Sequence, residues 1–243
     1  KNYPKIKIVA LSEDDMCKRH NQSIWYILGI RYYDIVFTTK KHNLNCLKSI
    51  GAKKIYVFED NFDHTLHKIY KKELNCSSNI YVSAIGAFEK ERAEDLYFLA
   101  KNGIQVNVWG NGWNAFKQKH PNLLIHNEFL FGKDYSLTIF KSKININFLR
   151  KVNDDVITSR SLEIPASGGF MLAERTNAQK KIFKEGVEAD YFSSKEELLN
   201  KVKFYLLNPK KRNLIRNKGI KKCLTGEYTM MNQLNIILNQ ILK

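Results

Sequence analysis

The segment from Asp154 to Arg175, DDVITSRSLEIPASGGFMLAER, concentrates residue types that can bind a phosphorylated ligand. Thr158 and Ser159 can cap the start of a helix, where backbone amides and the helix dipole favour an anion. Arg160 adds a planar fork of N–H donors that matches a phosphate group. We therefore predict a helix that begins near Thr158 and faces a phosphate.

Glu163 lies between the apolar residues Leu162 and Ile164, so its carboxylate needs a partner. The two vicinal hydroxyls of a ribose would satisfy both carboxylate oxygens. The alternative is an ion pair with Arg160, three residues earlier on the same helix.

Two further features of the segment fit a nucleotide-sugar site. Gly168 and Gly169 end the predicted helix and let the backbone approach a ligand closely, although a plain helix stop before a strand uses the same residues. Asp155 lies eight residues before Glu163, so the two acids could reach different ends of one nucleotide sugar.

The composition indicates a basic globular protein. The chain has 243 residues, 44% of them hydrophobic, and 40 Lys and Arg against 24 Asp and Glu give a formal net charge of +16. This charge suits phosphorylated substrates, anionic lipid or nucleic acid, and it can equally reflect solvated lysines in a biased sequence. The lysines are scattered and form no arginine-rich stripe, so no specific nucleic-acid partner is predicted.

The sequence shows no signal peptide and no run of about 18 uncharged apolar residues. We therefore expect a cytoplasmic location, with the basic surface able to contact the anionic inner face of a membrane peripherally. Cys17, Cys46, Cys76 and Cys223 lack the close spacing of a zinc site and are expected to be reduced, buried thiols.

Short apolar, β-branched runs alternate with helical patterns along the chain. Strands are predicted at residues 5–11, 34–39, 54–59, 80–86, 104–110, 123–126, 143–148, 169–174 and 189–192. This pattern predicts an α/β protein with doubly wound parallel sheets. A polar stretch at 68–79 reads as a linker, which predicts domains at 1–75 and 76–227, followed by a helix at 228–243 that docks back.

Several stretches resemble the spore-maturation (CgeB-like) group of glycosyltransferases. The most specific is RSLEIPASGGFMLAERT (160–176), which is followed by FKEGVEADYFSSKEELLNKVKFYLLNPKKR (183–212) and a late Tyr228-Thr229 pair. VFTTKKHNLNCLKSIGAKKIYVFEDNFD (36–63) resembles the end of that group's N-terminal domain. AIGAFEKERAEDL (84–96) and VWGNGW (108–113) resemble the start of its C-terminal domain.

The resemblance implies a GT-B-like fold with two Rossmann-like, doubly wound parallel-sheet domains. Since only about three strands precede the predicted linker, the N-terminal domain is expected to be incomplete. The implied activity is that of a hexosyltransferase-type enzyme related to the retaining family-4, or group 1, glycosyltransferases. It would move a sugar from a nucleoside-diphosphate sugar to an acceptor hydroxyl.

The same resemblance implies roles for individual residues. The family-4 motif of an acid, seven residues and Glu maps to Asp155 and Glu163. Glu163 would take the ribose hydroxyls, and Asp155, in place of the usual Glu, would face the donor sugar as a catalytic residue. Arg160, with its neighbours Thr158 and Ser159 and the two glycines, would surround the nucleotide.

Four residues of the two earlier loops are further candidates for binding the donor. Gly86 and Arg92 match the first loop and helix of the nucleotide domain, with Arg92 near the diphosphate, although it could equally be a solvated partner of Glu89. Gly110 and Trp113 follow the next strand and could line the cleft, and the alternative for Trp113 is a core position.

Asp14 and Asp15 follow the first strand and are candidate catalytic residues on the acceptor side, unless they form an ordinary solvated helix start. No metal ligand and no cofactor is predicted beyond a UDP- or GDP-linked sugar donor. The acceptor would be a glycan, a lipid-linked molecule or a protein. The alternatives are a nucleotide-sugar-binding module without activity, an epimerase on the same fold, and a basic nucleic-acid-binding protein.

Overall fold

Parallel strands connected by helices build both parts of the chain that the structure describes. This computed structural model describes residues 6–70 and 80–242. It divides into a first unit, which comprises Lys1–Asn61, Arg150–Asp155 and Glu227–Lys243, and a second unit, which comprises Phe62–Leu149 and Val156–Gly226. The domain boundary predicted at 75/76, most of the predicted linker and Cys76 lie outside the described residues.

The first unit contains a parallel sheet in the order β1-β2-β3. In chain order its elements begin with β1 (Val9–Ser12), α1 (Ile24–Gly29), β2 (Ile35–Thr38), α2 (Leu44–Ser49) and β3 (Ile55–Val57). The central strand, β2, is buried along its whole length because it is flanked by strands on both sides. Val36 packs with Ile30 and Leu47 on one face of the sheet, and Phe37 packs with Phe58 on the other.

The second unit contains a parallel sheet of six strands. Its elements are β4 (Ile80–Ile85), α3 (Lys90–Lys101), β5 (Val106–Trp109), β6 (Leu123–Ile125), α4 (Gly132–Lys141), β7 (Ser142–Asn147), α5 (Arg160–Ala166), β8 (Met171–Glu174), α6 (Asn177–Ile182), β9 (Asp190–Phe192), α7 (Lys195–Leu207) and α8 (Pro209–Thr225). In the order β6-β5-β4-β7-β8-β9 all strands are parallel, but successive strands are added on one side of β4 up to β6 and on its other side from β7 onward. A change of side of this kind opens a crevice at the carboxyl ends of β4 and β7, where ligands bind in open α/β sheets.

Alternation along the strands gives the second sheet two different faces. One face carries Val82, Val108 and Ile144, which pack in the core against residues of α3 and α7. The opposite face carries buried polar side chains such as Ser83 and Asn145, whose Oγ and Oδ1 atoms are 2.9 Å apart. The polar face therefore needs hydrogen-bond partners from the helices that cover it.

The last helix, α9 (Met230–Ile241), returns to the first unit. Its Ile237 is buried against Ile35, Phe37 and Phe58. The Gln233 side chain accepts a hydrogen bond of 3.1 Å from the backbone of Glu59. Short 3-10 turns complete the fold at Arg19–Asn21, Ile30–Tyr32, Lys41–Asn43, Trp113–Ala115 and Lys151–Asn153.

The α/β class and the parallel sheets predicted from the sequence are confirmed, and every predicted strand has an observed counterpart. Among the described residues, no helix has the length and apolar character required to cross a bilayer.

The expectation of reduced cysteines is wrong for two of them. Cys17 and Cys46 form a disulfide, with Cα atoms 6.2 Å apart and a sequence separation of 29 positions. Their spacing resembles no motif, so only the packing of their segments brings them together. Cys223 is a buried free thiol as expected, and burial raises its pKa to about 12, so it remains protonated.

Charged groups are buried together in the first unit. Lys40 Nζ lies 2.6 Å from Asp155 Oδ1, and both side chains are almost fully buried. Burial raises the pKa of Asp60 to about 7; nearby Lys40 opposes this shift, and the negative charges of Asp155, Glu13 and Glu59 add to it. The positive charge of Lys40 is therefore shared among acids that compete for it.

Replacing Asp60 with Asn should stabilise the protein at high pH. Below the ordinary carboxyl pKa, Asp60 is protonated in both the folded and the unfolded state, so its ionisation does not affect the free energy of unfolding. As the pH rises towards 7 the unfolded chain ionises first, and stability falls. The variant lacks this cost, so its free energy of unfolding should exceed that of the wild type by on the order of 2 kcal/mol at pH 8 and by nothing near pH 4. Thermal unfolding between pH 4 and pH 8 measures the difference.

Asp63→Asn is the control, because it should change stability in the opposite direction. Hydrogen bonds from Thr65 lower the pKa of Asp63, so its carboxylate stabilises the folded state at neutral pH. This variant should lose a little stability at pH 8. An Asp60→Asn variant that gains nothing at pH 8 contradicts the buried-charge account.

Candidate functional site

A pocket of about 370 Å³ lies in the second unit at the carboxyl ends of β4, β5, β6 and β7. It is lined by Leu66, His67, Ile85, Gly86, Ala87, Gly110, Asn111, Phe129, Leu130, Phe131, Gly132, Tyr135, Arg160 and Glu163. Four of the predicted donor-binding residues are among them: Gly86, Gly110, Arg160 and Glu163. The volume is within the range of small-molecule sites, and the position is the crevice expected for this strand order.

Glu163 has a partner that its own segment does not supply. The Tyr135 hydroxyl, from α4, donates a hydrogen bond of 2.6 Å to Glu163 Oε2. Burial raises the pKa of Tyr135 well above its usual value, and the adjacent Glu163 charge and hydrogen bond raise it further, so the hydroxyl keeps its proton. One carboxylate oxygen is thereby held in place, and Oε1 makes no contact of hydrogen-bond length with the described residues.

His67 is a pocket residue to which the sequence assigned no role. Its Nε2 atom lies 3.8 Å from Glu163 Oε1, and its ring meets Tyr135 edge-on with the centroids 5.5 Å apart. Its Nδ1 atom is buried without a hydrogen-bond partner among the described residues. The Ser136 hydroxyl holds this segment by donating to the Leu66 carbonyl over 2.9 Å. No motif marks a histidine in a connecting segment, which is why sequence reasoning missed it.

Arg160 enters the pocket as a cation with neutral partners. Its Nε donates to Asn147 Oδ1 and its Nη2 to the Phe148 carbonyl, each over 3.4 Å. Asn147 also donates to Ser161 Oγ over 3.0 Å, so the end of β7 is tied to the first turn of α5. Within residues 6–70 and 80–242, Arg160 has no carboxylate partner, and the alternative of an ion pair with Glu163 is not observed. Its charge is available to an anionic ligand.

The loops after β4 and β5 meet through their glycine backbones. A Cβ added to Gly110, whose φ is +142°, would lie 2.1 Å from the Gly86 carbonyl oxygen. The Trp113 indole N–H donates to that same oxygen over 2.9 Å. Trp113 is fully buried, so it supports the loop from the core and does not line the pocket.

Arg92 also supports this loop from beneath. Its side chain is 5% exposed, its Nη1 donates to the Ala87 carbonyl, and its Nη2 lies 3.6 Å from Glu89 Oε1. It is thus neither a solvated surface residue nor part of the pocket lining.

The remaining residues predicted around α5 do not line the pocket. Ser159 precedes the helix without making a side-chain capping bond, and Thr158 Oγ1 is buried without a partner among the described residues. Gly168 and Gly169 are packing positions. A Cβ added to Gly168 would lie 2.9 Å from the Ile69 side chain, and a Cβ added to Gly169 would lie 2.6 Å from the Ile139 side chain of α4.

A family model described as "Glycosyl transferase-like" matches residues 92–239, which is more than half of the chain. This protein belongs to the glycosyl transferase-like family. The matched region includes β5 to β9 and both Arg160 and Glu163. No curated protein matches the chain at a significant level.

Solved GT-B glycosyltransferases share the fold of this family member. HepE from Anabaena, solved with UDP-glucose, is 12% identical over 97% of this chain and 72% of its own, with a TM-score of 0.68. A sucrose-phosphate synthase from Thermosynechococcus elongatus is 10% identical over 96% and 67%, with a TM-score of 0.64. A mutant of TarM from S. aureus, solved with fondaparinux, alpha-GlcNAc-glycerol and UDP, is 10% identical over 98% and 51%, with a TM-score of 0.68. The predicted GT-B fold is therefore confirmed.

The acids predicted to be catalytic in this glycosyl transferase-like protein lie in the first unit, where each has partners. Asp15 is buried and accepts bonds from the Cys17 backbone at 2.9 Å and from His42 at 3.0 Å. These hydrogen bonds lower its pKa despite burial, which acts in the opposite direction. Asp14 accepts from Asn153 over 3.1 Å, and Asp155 pairs with Lys40. No group of three or more His, Cys, Asp or Glu side chains that could hold a metal ion occurs among the described residues.

Gly110→Ala should destabilise this protein strongly. The new Cβ would collide at 2.1 Å with the Gly86 carbonyl oxygen, which also accepts the hydrogen bond from Trp113. We expect a loss of about 2–4 kcal/mol in the free energy of unfolding, measured by urea denaturation.

Gly29→Ala is the matched control. Gly29 ends α1, and an added Cβ there has no atom within 4 Å. This change should be neutral or stabilise the protein by up to about 1 kcal/mol. Equal effects of the two substitutions would show that the contact between the Gly86 and Gly110 backbones carries no special constraint.

Proposed function

We propose that this protein transfers a sugar from a nucleoside-diphosphate sugar, which it binds in the pocket of the second unit. The observation that carries the proposal is the pairing of a fixed carboxylate with an uncompensated cation in one pocket. Glu163 presents Oε1 for the ribose hydroxyls, and Arg160, one helical turn away, presents its guanidinium for the diphosphate.

The glycine loops complete the phosphate side of the proposed site. Gly86 and Gly110 lack side chains where both line the pocket, so a diphosphate can approach the backbone there. Arg160 lies beside this loop, since a Cβ on Gly86 would be 3.6 Å from its Nη1. These groups would stabilise the negative charge that develops on the leaving diphosphate.

In the proposed reaction, the bond between the anomeric carbon and the diphosphate oxygen breaks, and the diphosphate keeps the electron pair. The acceptor oxygen bonds to the anomeric carbon, and its proton passes to the departing diphosphate. We propose that the configuration is retained and that no metal takes part, as in the family-4 enzymes that the sequence resembles. A CgeB-like subtype is part of this proposal.

The donor is proposed to be UDP- or GDP-linked. HepE and TarM, which share the fold, were solved with UDP-glucose and with UDP respectively. The acceptor is proposed to be a hydroxyl of a glycan, a lipid-linked molecule or a protein. Transfer is proposed to take place in the cytoplasm, with the basic surface resting peripherally on an anionic membrane.

One observation favours a second candidate, a nucleotide-sugar-binding module without transferase activity. Asp155, the acid predicted to face the donor sugar, is 5% exposed at its side chain, and its Oδ1 is occupied by Lys40 at 2.6 Å. Removing one partner of a buried pair costs several kcal/mol, so this acid is not readily released for chemistry.

Glu163→Gln should weaken nucleotide binding strongly while the fold is retained. The amide oxygen can still accept from Tyr135, but it offers no charged acceptor to the ribose. Wild-type protein should show a rise in Tm with UDP or GDP, because a ligand that binds only the folded state stabilises it. The variant should bind at least about tenfold more weakly, as a charge-assisted hydrogen bond is worth about 1.5–3 kcal/mol.

Glu196→Gln is the control for this experiment, since Glu196 is an exposed carboxylate in the first turn of α7. It should leave the nucleotide-induced shift unchanged. A wild-type shift that persists undiminished in Glu163→Gln contradicts the ribose assignment. Arg160→Ala should weaken binding of UDP more than binding of uridine, because only UDP carries the diphosphate.

Turnover separates the transferase from its alternatives. Wild-type protein incubated with UDP- and GDP-sugars should release free nucleotide only when an acceptor is present, as followed by a coupled nucleotide assay. Binding without release across the whole panel supports the module without activity, and interconversion of the sugar without an acceptor supports an epimerase. Binding to generic DNA that depends strongly on salt and ignores nucleotide sugars would favour the nucleic-acid alternative.

A further inference from the structure

The stretch at 198–226, which comprises most of α7 and all of α8, contains no acidic residue. It has nine Lys and Arg in 29 residues, although the whole chain has 24 Asp and Glu. Helix α3 of the same unit, by contrast, carries Glu91, Glu94 and Asp95 among its basic residues. The lysines of the chain are scattered, but at α8 their charge is not balanced by neighbouring acids in sequence.

Helix α8 has a packed face and an exposed face. Arg212, Ile215 and Gly219 are buried, and a Cβ added to Gly219 would lie 2.2 Å from the Glu188 carbonyl oxygen. The exposed positions recur every three or four residues, so they share the opposite face of the helix. They are Lys210, Lys211, Asn213, Leu214, Asn217, Lys218, Lys221, Leu224 and Thr225.

The lysines of the exposed face are not neutralised by acids in space either. Lys201 of α7 pairs with Asp190 over 2.9 Å, but the four exposed α8 lysines make no ion pair among the described residues. Both arginines of the helix, Arg212 and Arg216, donate instead to backbone carbonyls of the second unit. The exposed charge therefore comes from flexible lysines, and no arginine fork is presented to a partner.

Apolar side chains are exposed among these lysines. Leu214 and Leu224 are 51% and 54% exposed, and Leu207, at the corner between α7 and α8, is 81% exposed. Leucines contribute little beside the phosphate backbone of a nucleic acid. At a bilayer surface they enter the boundary of the acyl chains while lysines reach the headgroups. Lysines interspersed with leucines thus fit an anionic bilayer better than a nucleic acid.

We propose that the exposed face of α8, together with Leu207, docks this protein on a bilayer that contains anionic phospholipids. The inference rests on the membrane contact in the proposed function and names the surface that makes it. Each lysine near the surface is attracted by the anionic headgroups, and the leucines add buried apolar area. Helix α8 contributes no residue to the lining of the pocket, so docking and nucleotide binding are separate properties.

Co-sedimentation with vesicles tests the role of the lysines. The variant carries Lys210→Gln, Lys211→Gln, Lys218→Gln and Lys221→Gln together. On vesicles of phosphatidylcholine with about one third phosphatidylglycerol, its partition coefficient should be at least about thirtyfold below that of the wild type. Glutamine has nearly the helix propensity of lysine, so the Tm without vesicles should change little.

A matched variant removes the same amount of charge from other parts of the second unit. It carries Gln in place of four exposed lysines, which are Lys90, Lys101, Lys117 and Lys119. At about 0.1 M salt, charges away from the contact are largely screened, so binding should weaken by less than about threefold. Equal losses in the two variants would overturn the proposal, because net charge and not the α8 face would then govern binding.

The leucines distinguish a bilayer from a nucleic acid. A double variant with Leu207→Gln and Leu214→Gln should bind the anionic vesicles about fivefold or more weakly, since apolar area contributes to interfacial binding. Vesicle binding equal to that of the wild type would overturn the proposal, because attraction between charges alone would then suffice. Tighter binding of wild-type protein to duplex DNA than to the vesicles would also overturn it, in favour of a nucleic-acid surface.

Failure of this inference can be told apart from failure of the proposed sugar transfer. If wild-type protein does not bind anionic vesicles, or binds pure phosphatidylcholine vesicles equally well, the docking surface is overturned. The rise in Tm with UDP or GDP tests the pocket independently of that result. If wild-type protein binds the vesicles through α8 but binds no nucleotide, sugar transfer fails and the docking surface stands.

Discussion

Parallel pairing of β4 with β5 on one side and with β7 on the other is the constraint on which the candidate site depends. It places the carboxyl ends of neighbouring strands at one edge of the sheet, where the connecting loops must turn away. Gly86, Gly110, Phe131 and Glu163 come from four different connections, yet they line one pocket for this reason. Each connection contributes a different part of the pocket lining, so no single segment of the chain contains the whole site.

Within this pocket, polar groups are held in position before any ligand arrives. Tyr135 fixes one oxygen of Glu163, and Asn147 holds both the Arg160 side chain and the first turn of α5. Groups that are already oriented lose little entropy on binding. The same arrangement keeps the cation and the carboxylate from neutralising each other, because each is directed to a different partner.

Charged side chains have different kinds of partner in the two units. In the first unit Asp15 and Asp155 are buried and have His42 and Lys40 as partners, which compensates the cost of removing charge from water. Among the described residues of the second unit, Arg160 is hydrogen-bonded only to an amide oxygen and a carbonyl. A partly buried cation with neutral partners leaves an electrostatic demand that a diphosphate would satisfy.

The sequence by itself determined the strands and helices, the α/β class, and the presence of Arg160 and Glu163 one turn apart on a helix at a strand end. These are local features, since the periodicity of a strand or helix and the spacing along one helix are visible in neighbouring residues. Only the tertiary structure decided that Tyr135 and His67 meet Glu163, that Lys40 pairs with Asp155, and that Cys17 and Cys46 form a disulfide. Such contacts join residues far apart in the chain, and they depend on how loops pack at the sheet edge, for which the sequence carries no periodic signal.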